Sequence, residues 1–167
     1  NSVTNFQHTA ADGDDLLVNY LVEDAHLLTP EDINKVVRKA YINIVQANDS
    51  FSKQKGTMRG LHYQLSPFSE IKIIRCIKGA LFDVIVDLRE SSPSFMKYFG
   101  KELTAYNRQM IYVPRGFAHG FLVLSHEAIV CYKIDNVFNL DCYQGLKYDD
   151  PKININWQLS NDKIILS

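Results

Sequence analysis

Several features that would assign the chain to a class at once are absent or scarce. Its 167 residues contain no run that approaches 18 consecutive apolar residues, so we expect no membrane-spanning helix and no membrane partner. Residues 1–15 lack the charged-then-apolar pattern of a secretory signal. No internal repeat or low-complexity segment is visible. These absences favour a single globular domain in the cytoplasm.

Cysteine is scarce and irregularly placed. Cys76, Cys131 and Cys142 are odd in number and share no C-x-x-C spacing. This pattern argues against a structural disulfide framework and against a zinc site built on cysteine. We therefore expect reduced, largely buried thiols.

An excess of charge of either sign is also missing. Lys and Arg together number 18 and Asp and Glu 19, which leaves a formal net charge of -1. That balance argues against a broadly basic nucleic-acid binder and against a disordered acidic tail. What the chain does have is aromatic residues: nine Tyr, nine Phe and one Trp favour strands and a surface that binds rings or sugars.

One helix is predicted, and it precedes a series of strands. Thr29 as N-cap, Pro30 at the first helical position and two acids in the first turn predict a helix over about 30–40. Beyond it, the apolar residues alternate with a period of two, which predicts strands. These cover residues 41–46, 60–64, 71–77, 80–88, 98–104, 109–113, 121–124 and 128–134. We expect one domain over residues 1–167, with an N-terminal segment (1–40) and an all-β sandwich or barrel (41–167).

Strand alternation places three polar side chains on apolar faces. Lys72, Asp83 and Tyr132 each share a strand face with aliphatic residues. An ionisable group in that position needs a partner or a function. Lys72 could still belong to a solvated face and Tyr132 to the core. For Asp83 we favour an ion pair inside the barrel, with Lys72 or with a histidine.

Two histidines fall in conspicuous segments. His62 lies in a strand rich in hydrogen-bonding side chains, and His119 lies where a Pro/Gly loop runs into a strand. Either could be structural or catalytic, and two histidines in a small barrel could bind a metal, as in metal-dependent cupins. Those proteins use an H-x-H pair, however, and Gly60 and Gln64 flank His62 at that spacing. We therefore predict no metal.

Taken in order, the chain's motifs resemble those of the RmlC-type epimerases, the dTDP-4-dehydrorhamnose 3,5-epimerase family. The resemblance covers roughly residues 44–160, and the ordered set is far more specific than any one block. The matching blocks are KGTMRGLHYQ (55–64), Lys72 with Arg75, FDVIVDLR (82–89), SPSF (92–95), VPRGFAHGF (113–121), Tyr132-Lys133, DDP (149–151) and Trp157.

This resemblance implies a fold and a reaction. The fold would be a cupin-type jelly-roll barrel, all-β with one short N-terminal helix, in a homodimer that exchanges N-terminal strands. The reaction would invert C3, C5 or both in a nucleotide-diphosphate-linked 4-keto-6-deoxy sugar, with dTDP as the expected nucleotide. Neither a metal nor an organic cofactor would take part.

The resemblance also implies roles for individual residues. His62 would be the general base, Tyr132 the acid that reprotonates the opposite face, and Lys72 the cation that stabilises the enolate oxygen. In the family a carboxylate near the C-terminus orients the base, and Asp162 is our candidate for it. Substrate contacts would come from Arg59, His119, Gln46 and Asn48. Such chemistry is consistent, because negative charge builds on a ketone oxygen when the neighbouring carbon loses its proton.

One part of the family pattern is missing. No Arg-Gly-Phe-Phe-type segment, which in the family contacts the nucleotide, occurs between Asn1 and Tyr41. The sequence therefore does not specify the nucleotide, and no motif in it distinguishes inversion of one centre from inversion of two or specifies the final sugar. Other readings are a 3,4-ketoisomerase on a similar barrel, an epimerase for another nucleotide sugar, and a non-catalytic sugar-binding cupin.

Overall fold

The computed structural model describes residues 43–167, and this part of the chain is built from strands. Two short 3-10 helices, Leu140–Cys142 and Asn161–Lys163, interrupt them. The strands are β1 (Gln46–Ser52), β2 (Thr57–Gln64), β3 (Lys72–Lys78), β4 (Ala80–Asp87), β5 (Tyr98–Thr104), β6 (Met110–Val113), β7 (Phe117–Val123), β8 (Ala128–Ile134), β9 (Tyr143–Gly145) and β10 (Ile165–Leu166).

The strands form two sheets. One has four strands in the order β1-β8-β3-β6, and the other has the order β10-β2-β7-β4-β5, with β9 also paired to β2. The pairs are antiparallel except for β10 with β2. This is the expected all-β, cupin-type jelly-roll barrel, and the sequence prediction of the fold is confirmed. The predicted helix over about 30–40, like the rest of the segment 1–40, lies outside the described residues.

Alternation along the strands produces two cores. Side chains on the inner faces of both sheets pack together, including Ile74, Val130, Leu81 and Ile85. The outer face of the six-stranded sheet is covered by a second apolar cluster in which Trp157 packs edge-on against a strand residue, Phe82. The six-stranded sheet is therefore buried on both faces, which explains why β4 is an almost continuous apolar run.

Most of the predicted strands are found close to their predicted bounds, and those over 98–104 and 128–134 match them. The strand predicted over 41–46 is wrong where the structure describes it: residues 43–45 are not in a strand, and β1 runs from Gln46 to Ser52. Its QANDSFS sequence has little β propensity and lacks the alternation of apolar residues that marks a half-buried strand. The strand predicted over 121–124 begins earlier, at Phe117, so His119 lies within β7.

No helix in the described part of the chain is long and apolar enough to cross a membrane.

The last residue of β4, Asp87, has a buried carboxylate. Asp87 is 1% exposed and accepts two hydrogen bonds from the Arg89 guanidinium, each at 2.9 Å. The hydroxyls of Ser92 and Ser94 each donate to the same carboxylate at 2.6 Å. Burial alone would raise the pKa of Asp87, but these hydrogen bonds outweigh it and lower the pKa to about 2.

Asp87 should therefore stabilise the fold above pH 4 and lose that contribution as the pH falls towards 2. We expect Asp87→Asn to lower the free energy of unfolding by about 2 kcal/mol at pH 7, with the difference from wild type shrinking as the pH approaches 2. Urea titrations at several pH values measure this. The exposed Asp149→Asn is the control. A difference that stays constant from pH 7 to pH 2 would contradict the assignment.

Candidate active site

A cavity of about 360 Å³ opens between the two sheets. Polar and ionisable side chains from both sheets line it, although the surrounding inner faces are apolar. Seven of the eight residues singled out in the sequence as site candidates are in its wall: Gln46, Asn48, Arg59, His62, Lys72, His119 and Tyr132.

The four-stranded sheet supplies one wall through two neighbouring rows of paired residues. In one row, Gln46 is paired with Ile134, which is paired with Lys72 on its other side. In the next row, Asn48 is paired with Tyr132. The side-chain amide nitrogen of Gln46 donates to the side-chain oxygen Oδ1 of Asn48 at 2.8 Å. Strand alternation is sufficient to aim these side chains inward, as the sequence predicted for Lys72 and Tyr132.

The six-stranded sheet supplies the opposite wall, and it needs an irregularity to do so. Arg59 and His62 are three residues apart on β2, so simple alternation would put them on opposite faces. The pairing of β2 with β7 shifts register between these two residues, which brings both into the cavity wall. Gly60 allows this bulge: its φ is +97°, and a Cβ there would lie 2.6 Å from the His119 carbonyl oxygen.

His62 has the electrostatics of a neutral base. Burial lowers its pKa, and the nearby charges of Lys72 and His119 lower it further. The ring of Tyr143 packs against the His62 ring, with 5.0 Å between centroids. A neutral imidazole with a lowered pKa can take a proton at neutral pH.

His119 is paired with a carboxylate beneath the cavity wall. Its Nε2 lies 3.0 Å from both carboxylate oxygens of Asp83, which is fully buried on β4. Burial raises the pKa of Asp83, and His119 counteracts that effect. A histidine thus contacts Asp83 inside the barrel, in the place where the sequence predicted a partner for this carboxylate. An ionised Asp83 accepts from the Nε2–H of His119, an arrangement that leaves Nδ1 for other contacts.

Asp162 is the one predicted site residue that the structure does not bring to the cavity. It lies in the 3-10 helix Asn161–Lys163, which has no buried residue, and it is absent from the cavity wall. A hydrogen bond from Ser160 lowers the pKa of Asp162, so its carboxylate has local partners. In residues 43–167, the carboxylate found on a cavity histidine is Asp83, and that histidine is His119 rather than His62.

Eight residues of the cavity wall were not singled out in the sequence, among them Glu70, Phe138 and Tyr143. Glu70 precedes β3, and Phe138 and Tyr143 belong to the segment that follows β8. The rings of Phe138 and Tyr143 contact each other with 5.3 Å between centroids. No local pattern marks them, because they lie in loops and in a three-residue strand whose positions depend on tertiary pairing with β2.

The described residues contain no group of three or more His, Cys, Asp and Glu side chains that could hold a metal ion. What the cavity does hold is a basic imidazole on one wall and a hydroxyl and an ammonium on the other. These groups can remove a proton from carbon, stabilise the resulting oxyanion and return a proton from the opposite side.

A mainly antiparallel jelly roll with a polar, ionisable cavity between its sheets defines a protein of the cupin-like fold. Comparison with known proteins then identifies the family. The sequence model of the family described as dTDP-4-dehydrorhamnose 3,5-epimerase matches residues 29–167, and the chain belongs to that family.

Individual relatives agree. A dTDP-4-dehydrorhamnose 3,5-epimerase from Sinorhizobium fredii is 48% identical over 118 residues, which are 71% of this chain and 60% of the relative. The protein of the same name from Shigella flexneri is 47% identical over 120 residues, or 72% of this chain and 66% of the relative. The chain thus spans less than two thirds of the length of these curated relatives.

A solved structure is similar over more of the chain. It is dTDP-6-deoxy-D-glucose-3,5-epimerase RmlC from Legionella pneumophila, in complex with dTDP-4-keto-L-rhamnose. The TM-score is 0.76 at 35% identity, and the match covers 84% of this chain and 73% of that chain.

Proposed function

We propose that this chain epimerises C3 and C5 of a nucleotide-linked 4-keto-6-deoxy sugar, with dTDP-4-dehydro-6-deoxyglucose as substrate. The observation that carries the proposal is the placement of His62 and Tyr132 on opposing walls of one cavity. Inversion at carbon needs a base on one face of the sugar and an acid on the other, and two facing sheets provide that geometry.

In the proposed reaction, His62 removes the proton from the carbon next to the C4 ketone. The electron pair moves onto the ketone oxygen, where the Lys72 ammonium stabilises the negative charge. Tyr132 then donates a proton to the opposite face of the same carbon. Its phenolate is stabilised by the cationic cavity and is reprotonated from solvent, as His62 is deprotonated.

The rest of the wall suits a large anionic substrate. Arg59 donates hydrogen bonds to the Ser52 hydroxyl and the Phe51 carbonyl oxygen, at 3.3 and 3.4 Å. Its guanidinium has further donors for a diphosphate. The RmlC relative with a bound dTDP-sugar supports dTDP as the nucleotide. The N-terminal segment, in which the family's nucleotide-contacting motif is not found, lies outside the described part of the chain.

Solvent deuterium exchange tests this function. The protein is incubated in D2O with dTDP-4-dehydro-6-deoxyglucose, and NMR follows each sugar carbon. We expect deuterium at C3 and C5 together with inverted configuration. Exchange at C3 alone would reduce the activity to 3-epimerisation, and migration of the ketone would indicate a 3,4-ketoisomerase. Absence of exchange with dTDP-, UDP- and GDP-linked forms would overturn the proposal.

We also propose that the protein acts in the cytoplasm as a homodimer. All three cysteines are free, as expected in a reducing compartment. The face of the four-stranded sheet that points away from the cavity carries Phe51 and Ile77, which are 46% and 43% exposed. Exposed apolar side chains on a sheet face, here beside the charged Asp49, Arg75 and Lys133, suit a subunit contact. Analytical ultracentrifugation at micromolar concentration tests the dimer, and a monomer there would contradict it.

A further inference from the structure

Glu70 is an acidic residue in a cavity wall whose other ionisable side chains belong to Arg, Lys, His and Tyr. It lies just before β3, and its carboxylate is 3.0 Å from the Nζ atom of Lys72. The two side chains are only 10% and 14% exposed, so this ion pair is largely withdrawn from water. Both residues line the cavity. An exposed ion pair of this kind contributes little to the free energy of folding. A pair sheltered from water, in contrast, is held in a defined geometry.

A second contact fixes the carboxylate itself. The buried Gln64 amide nitrogen donates to the other Glu70 oxygen at 3.1 Å. The Gln64 side-chain oxygen Oε1 accepts from the backbone N–H of Asn139 at 2.7 Å. The Gln64 side-chain nitrogen Nε2 also donates to the backbone carbonyl oxygen of Val137. The Glu70 carboxylate is therefore connected through the Gln64 side chain of β2 to the loop that follows β8. These hydrogen bonds hold the carboxylate in place although the Glu70 side chain has several rotatable bonds.

Lysine needs such an anchor for the role assigned to it. Its ammonium is carried on four rotatable bonds, and an oxyanion is stabilised best by a cation already in place. We propose that Glu70 is a positioning residue, an inference that rests on the proposed epimerase function. Glu70 holds the Lys72 ammonium where the enolate oxygen forms. Its negative charge also opposes the effect of the Lys72 charge on His62.

The balance of charge involves every ionisable group around the cavity. Lys72 on β3 faces Glu70, and the charge of Lys72 acts on His62 of β2. The remaining groups are Arg59 on β2, His119 on β7 with Asp83 on β4, Tyr132 on β8 and Tyr143 on β9. Loss of the Glu70 charge leaves the Lys72 charge unopposed, which disfavours protonated His62.

Two variants separate positioning from charge. Glu70→Ala removes the anchor, and we expect kcat for deuterium exchange to fall about 10- to 100-fold with KM changed much less. Glu70→Gln keeps an oxygen that can accept from Lys72 but removes the charge. We expect it to restore most of kcat, and to move the acid limb of the pH–rate profile to lower pH, because His62 then stays neutral in more acidic solution.

The chain offers a matched control. Lys78 and Glu127 form a pair at 2.6 Å, but their side chains are 54% and 37% exposed and lie outside the cavity wall. Glu127→Ala and Glu127→Gln should leave kcat and the pH profile unchanged. If Glu70→Ala keeps the wild-type kcat and acid limb, or if Glu70→Gln fails to restore kcat and leaves the acid limb in place, the positioning role is overturned.

An NMR titration of the His62 ring protons keeps the two proposals distinguishable. Wild-type protein that exchanges no deuterium overturns the epimerase function. Even then, a lower pKa of His62 in Glu70→Gln than in wild type supports the charge balance, and an unchanged pKa overturns it. If wild type exchanges deuterium and both Glu70 variants behave like wild type, only the inference about Glu70 fails.

Discussion

Replacement of His62 by alanine is expected to lower kcat for deuterium exchange at both C3 and C5 by about 10²- to 10⁴-fold, the usual contribution of a general base. His62 is the cavity imidazole whose surroundings keep it neutral, and the only other histidine in the wall, among the described residues, is tied to a buried carboxylate. Because proton removal precedes inversion, both exchange and product formation should disappear together. NMR in D2O measures the two quantities on one sample.

The matched control is His126→Ala, which removes an exposed histidine between β7 and β8. It should exchange deuterium at the wild-type rate, and thermal melting should show that both variants are folded. Retention of more than about a tenth of wild-type exchange by His62→Ala would remove His62 from the role of base.

The pH dependence follows from the same residue. Burial and the charges of Lys72 and His119 lower the pKa of His62. The base is therefore neutral, and competent, at pH values below the ordinary histidine pKa. We expect kcat/KM to stay high as the pH falls through 6.5 and to decline only below it.

Tyr132→Phe should give a different signature, with inversion lost and exchange largely kept. Removal of the proton by His62 does not use the Tyr132 hydroxyl, so the enolate still forms. Without a donor on the opposite wall, deuterium returns from the His62 side and the configuration is retained. We expect product formation to fall about 10²- to 10⁴-fold, and exchange to fall much less.

Tyr106→Phe is the control for loss of a tyrosine hydroxyl, since Tyr106 is 94% exposed. Chiral analysis of recovered sugar, together with its deuterium content, separates exchange from inversion. Equal losses of exchange and inversion in Tyr132→Phe would contradict its role as the acid, because a residue needed for both steps acts before or during proton removal.

Much of this site follows from local sequence. A period of two, with turn residues between the runs, is enough to predict most of the strands and the all-β class. The same alternation puts Lys72 and Tyr132 on inner faces, and it identifies Asp83 as a charge that needs an internal partner. Roles for His62 and Tyr132 required the resemblance of ordered motifs, since a histidine or tyrosine on a strand face is not diagnostic by itself.

Other parts depend on contacts between distant segments. Asp162 was a reasonable carboxylate from its place in the sequence, but it lies on an exposed turn. Sequence distance carries no information on which carboxylate reaches which histidine, because that depends on the pairing of β4 with β7, which brings Asp83 to His119. Glu70 shows the same limit: its position comes from a loop held by Gln64.

The sequence by itself determined the barrel class and the inward faces of β3 and β8, because strand alternation is a local property of the backbone. Only the tertiary structure decided that Arg59 and His62 share a wall. That outcome needs a bulge at Gly60, where β7 approaches so closely that no Cβ fits. A bulge is a property of two strands together, so no reading of one strand alone could place it.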